Sequence, residues 1–226
     1  VIILLRFLFN LSLHTWKLPG LKTNPTQGVR LYTVHNQQQR FLTQVELSEL
    51  LAATQCQAST PLLPYIIAFL SLTGARRRNV LEAQWQMIDT INRRWVIPMT
   101  KSGRSQTIYL SQEALDLMAA IPRIDNNPYL FPSPKTGKPY KNIYKSWDDA
   151  RQKAGLPELR IHDLRHTFAS LLINSGHSLY VVQSALGHQN PRVTVRYAHL
   201  SDNTLQNASD TVGQIIHSGL KTLLQS

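Results

Sequence analysis

The sequence predicts a mainly α-helical domain carrying one small antiparallel β-sheet, an α+β fold. Three observations predict it. Apolar residues recur at helical spacing over most of the chain, and capping residues and glycines cut that pattern into helix-length pieces. Only residues 86–110 break into short segments of strand character, separated by a turn. No internal repeat or low-complexity tract competes with this reading.

Ile2, Leu5, Phe9, Leu13 and Trp16 recur at helical spacing, so residues 2–16 form a helix, apolar enough to need cover on several sides. Pro19, Gly20, Asn24, Pro25 and Gly28 then make residues 18–28 a linker. The expected division is therefore 1–28, the last helix of a truncated N-terminal domain with its linker, and 29–226, the main domain with a C-terminal tail helix. Thr43 and Glu46 have capping-box spacing and start a helix that runs to about Thr54. Residues 60–73 form a second, largely apolar helix closed by Gly74, and residues 76–85 a short third one. Residues 86–88, 94–97 and 106–110 are expected strands, with residues 101–104 as a hairpin turn. Further helices are expected at 112–120, 141–154, 162–175, 179–186 and 191–197. A last amphipathic helix, 201–220, places Leu205, Ala208, Val212, Ile215 and Ile216 on one side.

A chain of 226 residues can bury one good core, or one core and part of another. Lys and Arg number 24 against 13 Asp and Glu, a formal charge of +11. Such an excess fits a polyanion, since neutralising phosphates releases condensed counterions. A basic globular protein with no such partner would carry the same charge. No polybasic tract adjoins an amphipathic anchor, and the apolar opening stretch is interrupted by Arg6 and too short to span a bilayer, so no membrane partner is expected. One cysteine, Cys56, excludes a disulfide framework and a Cys-rich zinc site and is compatible with a reducing cytoplasm.

Three segments carry chemistry: Thr73-Gly74-Ala75-Arg76, the box from His162 to His166 with Arg165 inside it, and Leu186-Gly187-His188 followed by Tyr197. Singly each has a bland reading: a solvated helix start, two surface polar residues, a helix cap, a packing tyrosine. Together they suit phosphoryl transfer. Two arginines can clamp the nonbridging oxygens of a phosphodiester and stabilise the charge of a pentavalent transition state. His162 and Arg165 lie one helical turn apart and can face one cleft. Histidines can bind the phosphate or move protons near neutral pH. A tyrosine nucleophile conserves bond energy for a later attack by the leaving group. Acidic residues do not cluster as a two-metal nuclease requires, so no metal and no cofactor is expected.

At these residues the chain resembles the tyrosine recombinase family, the phage and mobile-element integrases, over residues 24–214. The Thr-Gly-x-Arg turn, the His-x-x-Arg-His box, the Leu-Gly-His box and a tyrosine nine residues past that histidine occur in the family's order and spacing. Thr100-Lys101-Ser102-Gly103 before a strand matches the family's hairpin lysine. The resemblance implies a tyrosine recombinase catalytic domain that cleaves and rejoins double-stranded DNA through a 3′-phosphotyrosine. It implies Tyr197 as nucleophile, Arg76 and Arg165 on the scissile phosphate, and Lys101 as acid for the 5′-oxygen. His162 would be general base or phosphate ligand, and His188 a second phosphate donor. It further implies a homotetramer on DNA from a monomer in solution, the tail docking on a neighbouring protomer, and a nucleoid-associated, bacterial or phage-encoded protein of the cytoplasm.

Two departures stand out. Many relatives carry an acidic residue three positions after the first arginine, where this chain has Asn79, followed by Glu82, and Arg77 and Arg78 beside it have no place in the family pattern. The family also has an N-terminal helical domain that closes around DNA, of which only the last helix, residues 1–16, is expected here. Two alternatives share much of the chemistry or the fold. A type IB topoisomerase uses a similar residue set, but lacks the Leu-Gly-His box, the form of the His162–His166 box and the tail. A catalytically silent DNA-binding regulator would be marked by the loss of a site residue, and none is missing.

Overall fold

A computed structural model describes residues 1–30, 40–55, 59–98, 105–124, 126–187 and 194. The chain divides into two compact units, Val1–Gln38 and Gln39–Ser226.

In the first unit, helix α1 spans Ile2–His14. The segment after it folds back through two polar residues. The Asn24 amide donates to the Arg6 carbonyl (3.0 Å) and to Asn10 Oδ1 (2.8 Å), while Arg6 Nη2 donates to the carbonyls of Thr26 and Val29, both at 2.8 Å. Asn24 Oδ1 in turn accepts from the Thr26 backbone and hydroxyl, an Asx turn that satisfies its local backbone.

The second unit holds helices α2 (Gln44–Thr54), α3 (Leu63–Thr73), α4 (Arg77–Leu81), α5 (Gln112–Ala119), α6 (Tyr144–Lys153), α7 (Asp163–Asn174) and α8 (Leu179–Leu186). Strands β1 (Ile88–Asp89), β2 (Arg94–Ile97) and β3 (Gln106–Tyr109) form an antiparallel sheet in chain order. In its register Trp95 faces Ile88 and Ile108, and Gln106 faces Ile97.

Most elements start where their sequence signals place them. The capping box at α2 is complete: Thr43 accepts from the Glu46 backbone, and the Glu46 carboxylate accepts from the Thr43 backbone at 2.8 Å. That backbone hydrogen bond, more than the nearby Arg40, holds the Glu46 carboxyl below its ordinary range. Ser111 and Ser178 cap α5 and α8 in the same way.

The expected helix over 76–85 stops at Leu81. Its second half is taken by backbone pairing with a distant segment. Leu130 donates to the Ala83 carbonyl (2.8 Å), Trp85 donates to Pro128 (3.0 Å), and Gln84 bridges Tyr129. The strand expected at 86–88 is displaced for the same reason: Trp85–Met87 makes a 3-10 turn, and the strand begins at Ile88. Helix α6 likewise begins at Tyr144 rather than 141, because the Asn142 side chain accepts from the Tyr144 backbone (2.8 Å). Of the helix expected at 191–197 only Thr194 is described, and it is helical; the helix expected at 201–220 and the hairpin turn at 101–104 lie outside the described residues.

Helix α3 is the axis of the core. It packs against α2, α5 and α7. Phe69 sits 5.4 Å from Trp95 and 5.7 Å from Phe131 between ring centroids, in tilted contacts that fix the sheet onto α3. A satellite cluster of Ala169, Ile173, Val182 and Leu186 joins α7 to α8. This arrangement brings the C-terminal ends of α3 and α8 toward the start of α7.

Candidate active site

Each of the two helix ends is closed by a left-handed glycine. Gly74 (φ 59°) follows α3 and Gly187 (φ 61°) follows α8, a backbone region in which a Cβ is strained. A side chain at either position would also require a neighbour to move. A Cβ on Gly74 would lie 2.4 Å from the Phe168 ring, and one on Gly187 would lie 2.5 Å from the Gln106 amide.

Arg165, on α7, points between these ends. Its Nη1 donates to the Gly74 carbonyl at 2.7 Å and its Nη2 to the Leu186 carbonyl at 2.6 Å. The side chain is only 4% exposed. Carbonyls at helix C-termini lack helical partners and carry the negative end of the macrodipole, so a buried cation is at home there. Charge-assisted bonds of this kind are worth roughly 1.5–3 kcal/mol each. One guanidinium thus ties the Thr-Gly-x-Arg turn, 91 residues earlier, and the Leu-Gly-His turn, 21 residues later, to the His-x-x-Arg box.

The backbone of that box is itself secured. Asp163, 1% exposed, opens α7; its carboxylate accepts from the Arg160 backbone (2.8 Å) and from Arg160 Nη2 (2.7 Å). The same hydrogen bonding raises the Arg160 guanidinium above its ordinary pKa. Thr167 donates to the Asp163 carbonyl and accepts from the Leu42 backbone, both at 2.9 Å, which locks α7 to the entry of α2.

Arg76 is the N-cap of α4, extended (φ −68°, ψ 137°) and exposed, with Nη1 3.5 Å from Gln106 Oε1. His162 is the N-cap of α7, not its first turn, and is exposed; its ring meets that of His166 edge-on, 4.9 Å between centroids. Of the expected site residues, Arg165 thus bonds the Gly74 turn two residues before Arg76, and His162 stands at the head of the helix that carries Arg165. Lys101, His188 and Tyr197 lie outside the described residues.

Neither residue weighed as a support for Arg76 reaches it. Glu82 is taken by Arg78 (2.8 Å), an i,i+4 pair that also gives Arg78 a surface role. Asn79 Nδ2 is buried without a hydrogen-bond partner. Residue types alone did not point to Gln106 or to the two receiving carbonyls; Asp163 could have been singled out, being a carboxylate inside the His-x-x-Arg box. Among the described residues, no group of three or more His, Cys, Asp or Glu could hold a metal ion, and no helix is long and apolar enough to cross a membrane.

Helices wrapped on a three-stranded antiparallel sheet, with an arginine tie at the meeting of three motifs, make up the fold of a tyrosine recombinase catalytic domain. The catalytic domain of bacteriophage HP1 integrase has it too, with a TM-score of 0.59 at 27% identity, over 75% of this chain and 93% of that one. A lambda integrase dimer bound to a COC′ core site gives a TM-score of 0.67 over 87% of this chain and 70% of that one, at 20% identity.

The profile of the phage integrase family matches residues 40–204, and the chain belongs to that family. It is 31% identical over 216 residues to the integrase of Haemophilus phage HP1 (strain HP1c1), 90% of this chain and 56% of that protein. It is also 31% identical over 201 residues to a shufflon-specific DNA recombinase of Escherichia coli, 87% of this chain and 49% of that protein. The chain thus spans about half the length of these curated relatives.

Proposed function

We propose that this chain is the catalytic part of a site-specific DNA recombinase that cuts and rejoins strands through a covalent bond to Tyr197. The observation that carries the reading is the Arg165 tie, which draws the turn bearing Arg76, the His-x-x-Arg box and the turn leading to His188 to one place. Family membership supports the same assignment, as do relatives named as integrases and a DNA-specific recombinase.

In this mechanism Arg165 is the floor of the phosphate site and Arg76 its rim. The Tyr197 phenolic oxygen attacks phosphorus while His162 accepts its proton or binds the phosphate. The bond from phosphorus to the 5′-oxygen breaks, and Lys101 gives that oxygen a proton. His188 donates a further hydrogen bond to the phosphate. The product is a 3′-phosphotyrosine and a free 5′-hydroxyl, and attack by another 5′-hydroxyl reverses every step. Arginine fits both positions: the exposed Arg76 can offer its planar fork to phosphate oxygens, and Arg165, with five N–H donors, can hold two carbonyls and still have N–H groups to offer.

Double-stranded DNA is the partner, met by the excess of basic side chains. Residues 29–226 would be the catalytic domain, with residues 1–28 a helix and linker ahead of it. Assembly is a tetramer on two DNA sites, formed from monomers, with the segment after Asn203 docking on the next protomer; the setting is the cytoplasm. The test is covalent trapping on a nicked suicide duplex. A protein–DNA adduct should form in the presence of chelator, and Tyr197→Phe should abolish it while preserving DNA binding. A chelator-sensitive activity, or an adduct that survives in the phenylalanine variant, refutes the reading.

A further inference from the structure

Gln106 opens β3, and its side chain lies between two parts of the site that are far apart in sequence. On one side its Oε1 accepts from Arg76 Nη1 at 3.5 Å. On the other its amide fills the place of a Gly187 side chain: a Cβ built there would meet Cδ and Nε2 at 2.5 Å and Oε1 at 2.9 Å. Nε2 is buried and has no hydrogen-bond partner. This asymmetry fixes the amide's orientation. A guanidinium has donors only, so turning the amide over would set donor against donor at Arg76. Shape holds the amide at Gly187, and a hydrogen bond holds it at Arg76.

We infer that Gln106 is a positioning residue for Arg76, setting the first clamp arginine against the Gly187 turn. It does what neither Asn79 nor Glu82 does, since Asn79 Nδ2 has no partner and Glu82 is engaged by Arg78. Gly187 belongs to the same device: the absence of a side chain there admits the amide. The position of Arg76 is thereby coupled to the end of α8 through one uncharged side chain on the sheet. The inference rests on the reading of Arg76 as a phosphate ligand.

The test is a double-mutant cycle on the full chain, using a nicked suicide duplex that carries a site selected by this chain from random-sequence DNA. Gln106→Met keeps the length of the side chain and removes the acceptor. Single-turnover cleavage by Gln106→Met should be about threefold slower, as expected for losing one long, exposed hydrogen bond, with urea stability near that of the parent. In an Arg76→Ala background the same change should cost nothing further, because the group it acts through is gone. An effect that is merely structural would slow both backgrounds equally, and that result overturns the inference. So does a Gln106→Met variant that cleaves like the parent while Arg76→Ala is impaired. If Arg76→Ala itself cleaves normally, the clamp reading fails and this inference falls with it.

Discussion

Replacing Arg165 by alanine takes a guanidinium out of a buried place and leaves the carbonyls of Gly74 and Leu186 facing the space it filled. Leaving a buried acceptor unsatisfied costs roughly 1–3 kcal/mol, so two such carbonyls predict a loss of about 2–6 kcal/mol. A domain of this size has on the order of 5–15 kcal/mol to lose. With a slope of about 2 kcal/mol per molar urea, the unfolding midpoint should fall by roughly 1–3 M. Arg76 offers the matched control. It is exposed, and its one described bond is long, so Arg76→Ala should change stability by no more than about 0.5 kcal/mol. Both variants should nevertheless lose about a hundredfold or more in cleavage, as removal of one preorganised oxyanion donor does. Urea unfolding followed by far-ultraviolet circular dichroism, set beside suicide-substrate cleavage, reads both quantities. Arg93→Ala and Arg94→Ala, near the start of β2, should move cleavage little. Equal stability losses for Arg165→Ala and Arg76→Ala would refute the structural role of the tie, and equal cleavage in all four variants would refute the clamp.

Lys101→Ala should cleave ordinary DNA slowly and recover on a duplex whose bridging 5′-oxygen is replaced by sulfur, while His162→Ala should not recover; the opposite pattern would exchange the two roles. Gly74→Ala combines a left-handed backbone with a Cβ 2.4 Å from the Phe168 ring, and should cost on the order of 1–3 kcal/mol in thermal unfolding. The Glu46 carboxyl is held below its ordinary value of 4.5 in the folded protein, so its contribution is present above that value and is lost as pH falls through the lower folded one. Glu46→Gln should therefore flatten that part of a stability–pH curve measured by thermal melting below about pH 5; an unchanged curve would remove the capping carboxylate from the account. Deleting the residues after Asn203 should leave single-site binding near normal in a mobility-shift assay and reduce synapsis and strand exchange, a prediction that fails if the shortened chain unfolds or recombines normally in a full-length background.

What could be read from sequence was local. Thr43 with Glu46, and the glycines after α3 and α8, act through bonds a few residues long, and they lie where their spacing predicts. What could not be read was set by partners far along the chain. The helix expected over 76–85 loses its second half to pairing between residues 83–85 and 128–130, and nothing in the local pattern of Ala83, Gln84 and Trp85 reports that competitor. Arg165 could be recognised by its motif, but its partners are backbone carbonyls, which have no residue type. Gln106 carried no signal at all, because a glutamine at a strand start is ordinary until the fold sets it against a glycine.

The Arg165 tie also makes one local arrangement conditional on the folding of the whole domain. Its two receiving carbonyls belong to the ends of helices that come together only in the folded domain. If Arg165 and its neighbours bind phosphate as proposed, a chain in which α8 has come loose would lose that arrangement even with its separate helices formed. On that proposal the phosphate site exists only where both helix ends are docked, so its assembly depends on the folded domain as a whole.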